Sequence, residues 1–182
     1  SDDYVDLDML EKLYTKAKQN KSDIVIFEND VVDETYSKVD NNRINVFENC
    51  PNNFKYILNS NVCVWNKLYK KDLIVENDLS FRKGVWYEDI DFSAKSLVCA
   101  KNISIVNETL YHYLLRQGSI MNNSNVKRNL ELLEAFDEIK KYLQEKKVYK
   151  DYFFHISTSS TTYYRLFNNL SIVINYSVII YL

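Results

Sequence analysis

Apolar residues recur along this chain first at helical spacing and then in short unbroken runs. That alternation predicts a layered α/β architecture. Leu7, Leu10, Leu13, Tyr14 and Ala17 lie on one helical period. Asp6 can cap this helix, with Asp8 and Glu11 early and Lys16 and Lys18 late, as the helix dipole favours. Asn20-Lys21-Ser22 ends it, and Asp23-Ile24-Val25-Ile26-Phe27 follows as a strand of the buried type. The polar stretch over 28–53 has weak periodicity and predicts a variable loop or hairpin, with Val31-Val32 and Ile44, Val46 and Phe47 as strand fragments.

Residues 53–58 are compatible with a helix. Val62-Cys63-Val64-Trp65 predicts an extended run into Asn66-Lys67-Leu68-Tyr69, and a short helix follows over 70–75. Ser80-Phe81-Arg82-Lys83-Gly84 reads as a turn and Val85-Trp86-Tyr87 as extended. Glu88-Asp89 then stands at the start of a helix with Ile90, Phe92, Ala94, Leu97 and Val98 on its apolar side. Residues 103–106 and 110–115 predict two further strands, ending in the polar Arg116-Gln117-Gly118-Ser119. An amphipathic helix is expected over 125–147, with Leu130, Leu133, Phe136 and Ile139 inward, and a second helix over 151–170.

The C-terminal run LFNNLSIVINYSVIIYL is apolar but interrupted by Asn168, Asn169, Asn175 and Ser177, and short for a bilayer span. It reads as a buried helix, a strand or a membrane-contacting segment. At 182 residues with 46% hydrophobic content, the expectation is one compact domain. Lys+Arg 23 against Asp+Glu 25, well scattered, leave no basic field for nucleic acid. With Gly 2 and Pro 1, turns fall to Asn, Asp and Ser. Fifteen Tyr and nine Phe can fill a core or stack on sugar rings. Cys50, Cys63 and Cys99 match no metal or disulfide spacing, which suits a reducing cytoplasm. Ser1-Asp2-Asp3 opens without the apolar segment of a signal peptide, and both ends of the chain look cut.

Three polar clusters carry candidate chemistry. Asp2 and Asp3, where a strand would meet a helix, either begin that helix or hold a divalent cation. Mg²⁺ or Mn²⁺ needs few protein ligands when substrate phosphates complete its shell. Glu88-Asp89 is either a structural acidic cap or a general base toward a sugar hydroxyl. The helix N-terminus favours the ionised form, and a strongly lowered pKa would weaken such a base. Arg116, Gly118 and Ser119 form a surface turn or a phosphate cradle. His112 and His155 have no partner at motif spacing and read as packed side chains.

The order of these pieces is more specific than any one of them. SDDYVDLDMLEKLYTKAKQNKSDIVIF resembles the stretch of family 2 glycosyltransferases, of GT-A fold, that starts within the DxD motif. WNKLYKKDLI resembles the signature before that family's catalytic carboxylate, and GVWYEDIDFSAKSLVCAKNISIVNETLYHYLLRQGSI resembles its ED motif, helix, strand pair and RxGS turn. The resemblance covers about residues 1–122.

The resemblance implies a partial GT-A domain over 1–122, the metal and acceptor side, with a C-terminal helical extension over 123–182. Asp2 would coordinate a divalent cation (Mn²⁺ or Mg²⁺) bridging the nucleotide diphosphate, with Asp3 in support. Asp89 would be the catalytic base, with Glu88 beside it. Trp65, Asn66 and Lys67 would line the donor and acceptor region, and Arg116 and Ser119 would lie near the diphosphate. The implied enzyme transfers a sugar, with inversion, from a nucleotide-diphosphate donor to a glycan or lipid-linked acceptor. Its setting would be bacterial surface polysaccharide or lipopolysaccharide synthesis, in the cytoplasm with peripheral membrane contact. The nucleoside-binding half upstream of DxD is missing, so the chain reads as a fragment. The competing expectation is a non-catalytic interaction module that keeps the scaffold.

Overall fold

A computed structural model describes residues 2–42, 63–116 and 131–150 of the chain. The expectations for 43–62, for Ser119 and its turn, for the first part of the long helix and for everything beyond 150 lie outside these residues. The described elements are β1 (Tyr4–Val5), α1 (Met9–Asn20), β2 (Ile24–Val32), β3 (Lys38–Asn42), β4 (Lys67–Tyr69), α2 (Lys71–Glu76), α3 (Glu88–Cys99), β5 (Ile103–Leu114) and α4 (Glu131–Glu145). They form one mixed sheet in the order β1-β5-β2-β3, with β4 also on β2.

β2 is the centre of this sheet. One edge pairs in parallel with β5 along its whole length. The other edge is shared by two antiparallel partners, β4 against Ile24–Ile26 and β3 against Asn29–Val32. Alternating side chains of β2 therefore feed two separate cores. Ile24 and Ile26 pack with Leu73, Leu97 and Ala100 beneath α3, whereas Val25 and Phe27 pack with Leu13 and Leu110 beneath α1. This explains the unbroken apolar run, since a strand covered on both faces has no polar side to alternate with.

Several local expectations need correction. α1 starts at Met9 with Asp8 as its flanking residue and no side-chain cap. The Asp6 carboxylate instead lies 3.1 Å from His112 Nε2. Only part of the expected apolar face of α1 is covered, because Leu13 is buried while Leu7, Leu10 and Tyr14 are exposed. The helix closes through Lys21 in the left-handed conformation, φ 50°, whose N–H reaches the last carbonyls. β2 runs on to Val32 and turns into β3, so the strand-plus-hairpin alternative describes 28–42.

The two strands expected over 103–106 and 110–115 are one, β5, with irregular register opposite Phe27, Glu28 and Asn29. Its pairing passes from Val106 to Thr109 over one step of β2, leaving Asn107 and Glu108 outside the ladder. These two polar residues are what made the sequence look like two strands. Residues 63–66 are a bend and turn, with the strand starting only at Lys67. Tyr87 is not extended but left-handed, φ 62°, at the entrance to α3. α4 packs on α3 through Ala135, Phe136 and Ile139 against Ile90. Its Glu131 carboxylate accepts the Trp86 N–H, and its Glu134 pairs with Arg82, so α4 also fixes the loop before Glu88.

Candidate active site

Asp2, Asp3 and Arg116 gather where the parallel strands β2 and β5 end, the position at which open α/β sheets present ligands, whereas Lys67 lies opposite Ile26 nearer the start of β2. β1 runs antiparallel to β5 with Tyr4 opposite His112, which brings Asp2 and Asp3 level with the end of that strand. Arg116 follows β5 directly, and its guanidinium pairs with the Asp2 carboxylate. Asp3 is held more firmly. Its Oδ2 accepts the Tyr111 hydroxyl at 2.6 Å and its Oδ1 accepts the Leu114 N–H at 2.9 Å.

Helix α3 leads into β5 at the opposite end of the sheet, where Leu97 and Ala100 pack on Ile24 and Ile26. A helix of 12 residues is about 18 Å long, so α3 runs back along less than half of β5 and brings Glu88 and Asp89 to the surroundings of Lys67, whose charge acts on Asp89. The left-handed Tyr87 turns the chain into this helix. Its carbonyl accepts the Ile90 N–H at 3.2 Å. For a bulky side chain that conformation costs about 1–2 kcal/mol, a strain retained at the entrance to the acidic pair.

The turn before β4 joins these two groups. The Phe27 N–H donates to the Asn66 carbonyl at 3.1 Å, which continues the β2–β4 pairing into the turn. Trp65 lies stacked over Tyr111, with centroids 4.5 Å apart, and over Tyr113 at 5.8 Å. Lys67 is opposite Ile26, on the α3 side of the sheet, and is 6% exposed. Its Nζ donates to the Cys63 carbonyl and to Asn66 Oδ1, both at 2.7 Å. The three neighbours Trp65, Asn66 and Lys67 thus reach from the Asp3–Tyr111 contact to the surroundings of Asp89.

Burial sets the electrostatics of the α3 side. It pushes the Asp89 carboxyl above its usual range, helped by the charge of Glu88. The Ile90 and Asp89 N–H groups and the Lys67 charge oppose it without prevailing. The helix N-terminus favours the ionised form as expected, but it is outweighed. Desolvation wins, and it moves Asp89 toward the range of an effective base. The same burial lowers Lys67 to about 8 and raises the Cys63 thiol to about 11.

Asp3 Oδ1 and Oδ2 each accept one hydrogen bond and keep a further lone pair, while Asp2 pairs with Arg116. No group of three or more His, Cys, Asp or Glu that could hold a metal ion is present among the described residues. The adjacent carboxylates Asp2 and Asp3 have the oxygen donors that a hard divalent cation takes when substrate oxygens complete its shell. Tyr111 and Cys63 were missed by sequence reading. An aromatic residue in a strand reads as core, and only the fold shows that Tyr111 meets both Asp3 and Trp65. No helix among the described residues is long and apolar enough to cross a membrane.

No protein-family model matches the chain. It is similar to the glycosyltransferase GlyA of Streptococcus pneumoniae, 27% identical over 151 residues, covering 76% of this chain and 21% of that protein. It is also similar to the cholesterol galactosyltransferase of Borreliella burgdorferi, 31% identical over 140 residues, covering 69% of this chain and 38% of that protein. Among solved structures, residues 1–349 of S. aureus TarS in complex with UDP-GlcNAc superpose with a TM-score of 0.64 at 19% identity. That match covers 91% of this chain and 49% of that one. The UDP complex of the same protein gives 0.58 at 17% identity, covering 91% and 48%. The chain spans less than two fifths of the length of either curated relative. In sequence it is similar to two glycosyltransferases, and in fold to about half of the S. aureus TarS fragment.

Proposed function

We propose that this chain carries the metal and acceptor side of an inverting glycosyltransferase of family 2 and GT-A fold. It would move a sugar from a nucleotide-diphosphate donor to a hydroxyl of a glycan or lipid-linked acceptor in bacterial surface polysaccharide or lipopolysaccharide synthesis. The observation that carries the reading is the position and environment of Asp89. It is a half-buried carboxyl with a raised pKa at a helix N-terminus, beside the Trp65–Lys67 turn, whose Trp65 stacks on Tyr111, the partner of Asp3. Support also comes from sequence similarity to two sugar-transferring enzymes and from a shared fold with a protein solved with UDP-GlcNAc and with UDP.

In this reading Asp89 accepts the proton of the acceptor hydroxyl as the oxygen forms its bond to the anomeric carbon. The bond from that carbon to the diphosphate oxygen breaks, and the electron pair leaves with the diphosphate. Glu88 keeps the Asp89 pKa high through its charge, and Lys67 limits the rise. Arg116, freed from Asp2, places its guanidinium against the leaving diphosphate. A divalent cation, Mg²⁺ or Mn²⁺, would be held by Asp2 with Asp3 in support and would supply further neutralisation of phosphate charge. Trp65 and its tyrosine partners offer an apolar ring face next to these polar groups, suited to a sugar ring.

A panel of nucleotide-sugars, assayed with Mn²⁺ and followed by proton NMR at the anomeric centre, tests this directly. The expected result is turnover of one donor with the anomeric configuration reversed in the product. Retained configuration would contradict single displacement, and turnover of no donor by the full-length protein would favour a non-catalytic role.

A further inference from the structure

We infer that Tyr111 is a positioning residue that ties the cation side of the site to the Trp65–Lys67 turn, an assignment that rests on the proposed function. Tyr111 sits opposite Asn29 in the middle of the sheet, so its backbone is fixed by the β2–β5 ladder. From that fixed base it makes contacts in two directions. Its hydroxyl donates to Asp3 Oδ2 at 2.6 Å, a hydrogen bond to a charged acceptor. Its ring lies nearly parallel to Trp65, 20° between planes and 4.5 Å between centroids.

Asp3 has no rigid anchor of its own, because β1 is only two residues long. The Leu114 N–H orients one of its oxygens and Tyr111 orients the other. With both oxygens fixed, the backbone that carries Asp2 is fixed too. On the other side, Trp65 is held by its two tyrosines and leads directly into Asn66 and Lys67, which close the turn through Lys67 Nζ. Hydroxyl and ring therefore serve different halves of the site, and they can be removed separately.

Tyr111→Phe deletes the hydroxyl and keeps the stack. It should weaken Mn²⁺ binding, measured by electron paramagnetic resonance with Mn²⁺ alone and with Mn²⁺ plus UDP, by about tenfold, the scale of one lost hydrogen bond to a charged group. At saturating Mn²⁺ its kcat should stay within about twofold of the parent. Tyr111→Leu deletes both contacts and should weaken Mn²⁺ binding comparably while also lowering kcat at saturating Mn²⁺ by about tenfold or more. The stack has its own readout without metal. In a Trp86→Phe background, Trp65 emission should shift to the red in Tyr111→Leu and stay unchanged in Tyr111→Phe.

Parental Mn²⁺ affinity in Tyr111→Phe, or a kcat loss equal to that of Tyr111→Leu, overturns the assignment. Asp2→Asn separates the two levels of the argument. If it loses Mn²⁺ while Tyr111→Phe does not, the positioning role fails and the cation reading stands. If Asp2→Asn binds Mn²⁺ as the parent does, both fail.

Discussion

Asp2, level with the end of β5, and Asp89, at the start of α3, occupy different electrostatic settings. Asp2 is 41% exposed and its partner Arg116 52% exposed, so their attraction is screened and easily exchanged for another ion. Asp89 is shielded beside the buried Lys67, where desolvation displaces both from their ordinary ionisation. In the proposed reading, the difference divides the work of one site. A screened, exchangeable pair suits a charged ligand that must enter and leave, and a shielded carboxyl suits proton transfer.

The contrast is broken most easily by substitution on its two sides. Lys67→Ala orphans the Cys63 carbonyl and Asn66 Oδ1 as acceptors of its Nζ and should cost about 2–4 kcal/mol in urea unfolding. Asp2→Ala removes a screened pair and should cost less than about 1 kcal/mol. Equal costs would mean that the two sides do not differ in the way described.

A fully buried amide gives the next effect in size. Asn29 is 0% exposed, and among the described residues neither Nδ2 nor Oδ1 has a hydrogen-bond partner. Asn29→Leu, of similar size and without orphaned polar atoms, should raise stability by about 1 kcal/mol or more in the same assay. A destabilised variant would show that the amide is paired by something the described contacts omit.

The smallest expected effect is in the pH dependence of stability. Lys67 has a folded pKa near 8, below its ordinary 10.5, so from about 8 upward the unfolded chain binds more protons and stability gained from this group rises with pH. Cys63, raised from 9.0 to about 11, acts in the opposite sense above about 9. The rise should therefore be clearest between pH 8 and 9 and should disappear in Lys67→Ala. A rise that persists in that variant would assign it to another group.

Much of this arrangement was legible in the residues themselves. The period of Leu13 and Ala17, the run Ile24–Phe27 and the apolar side of α3 each declare one face of the fold, because burial imposes the same spacing wherever it occurs. The positions of Asp2, Asp89 and Arg116 in chain order already suggested one site. The rest depended on contacts between residues distant in sequence. Asn107 and Glu108 hid the continuity of β5, since a bulge places polar residues inside a strand. The shift of Asp89 was not legible because dipole and charge are local to a helix end, whereas desolvation depends on how distant segments pack around it. Tyr111 looked like one more core aromatic among fifteen tyrosines.

The central claim is that Asp89 takes the acceptor proton while the Asp2 side binds the donor. Asp89→Asn keeps the shape of the side chain and removes its basicity, so paired measurements of transfer rate and donor binding test it directly. The account predicts that kcat falls by about 10²–10⁴-fold while Mn²⁺-dependent nucleotide affinity stays within about twofold of the parent. Parental turnover in Asp89→Asn, or a loss of nucleotide binding as large as the loss of rate, would contradict it.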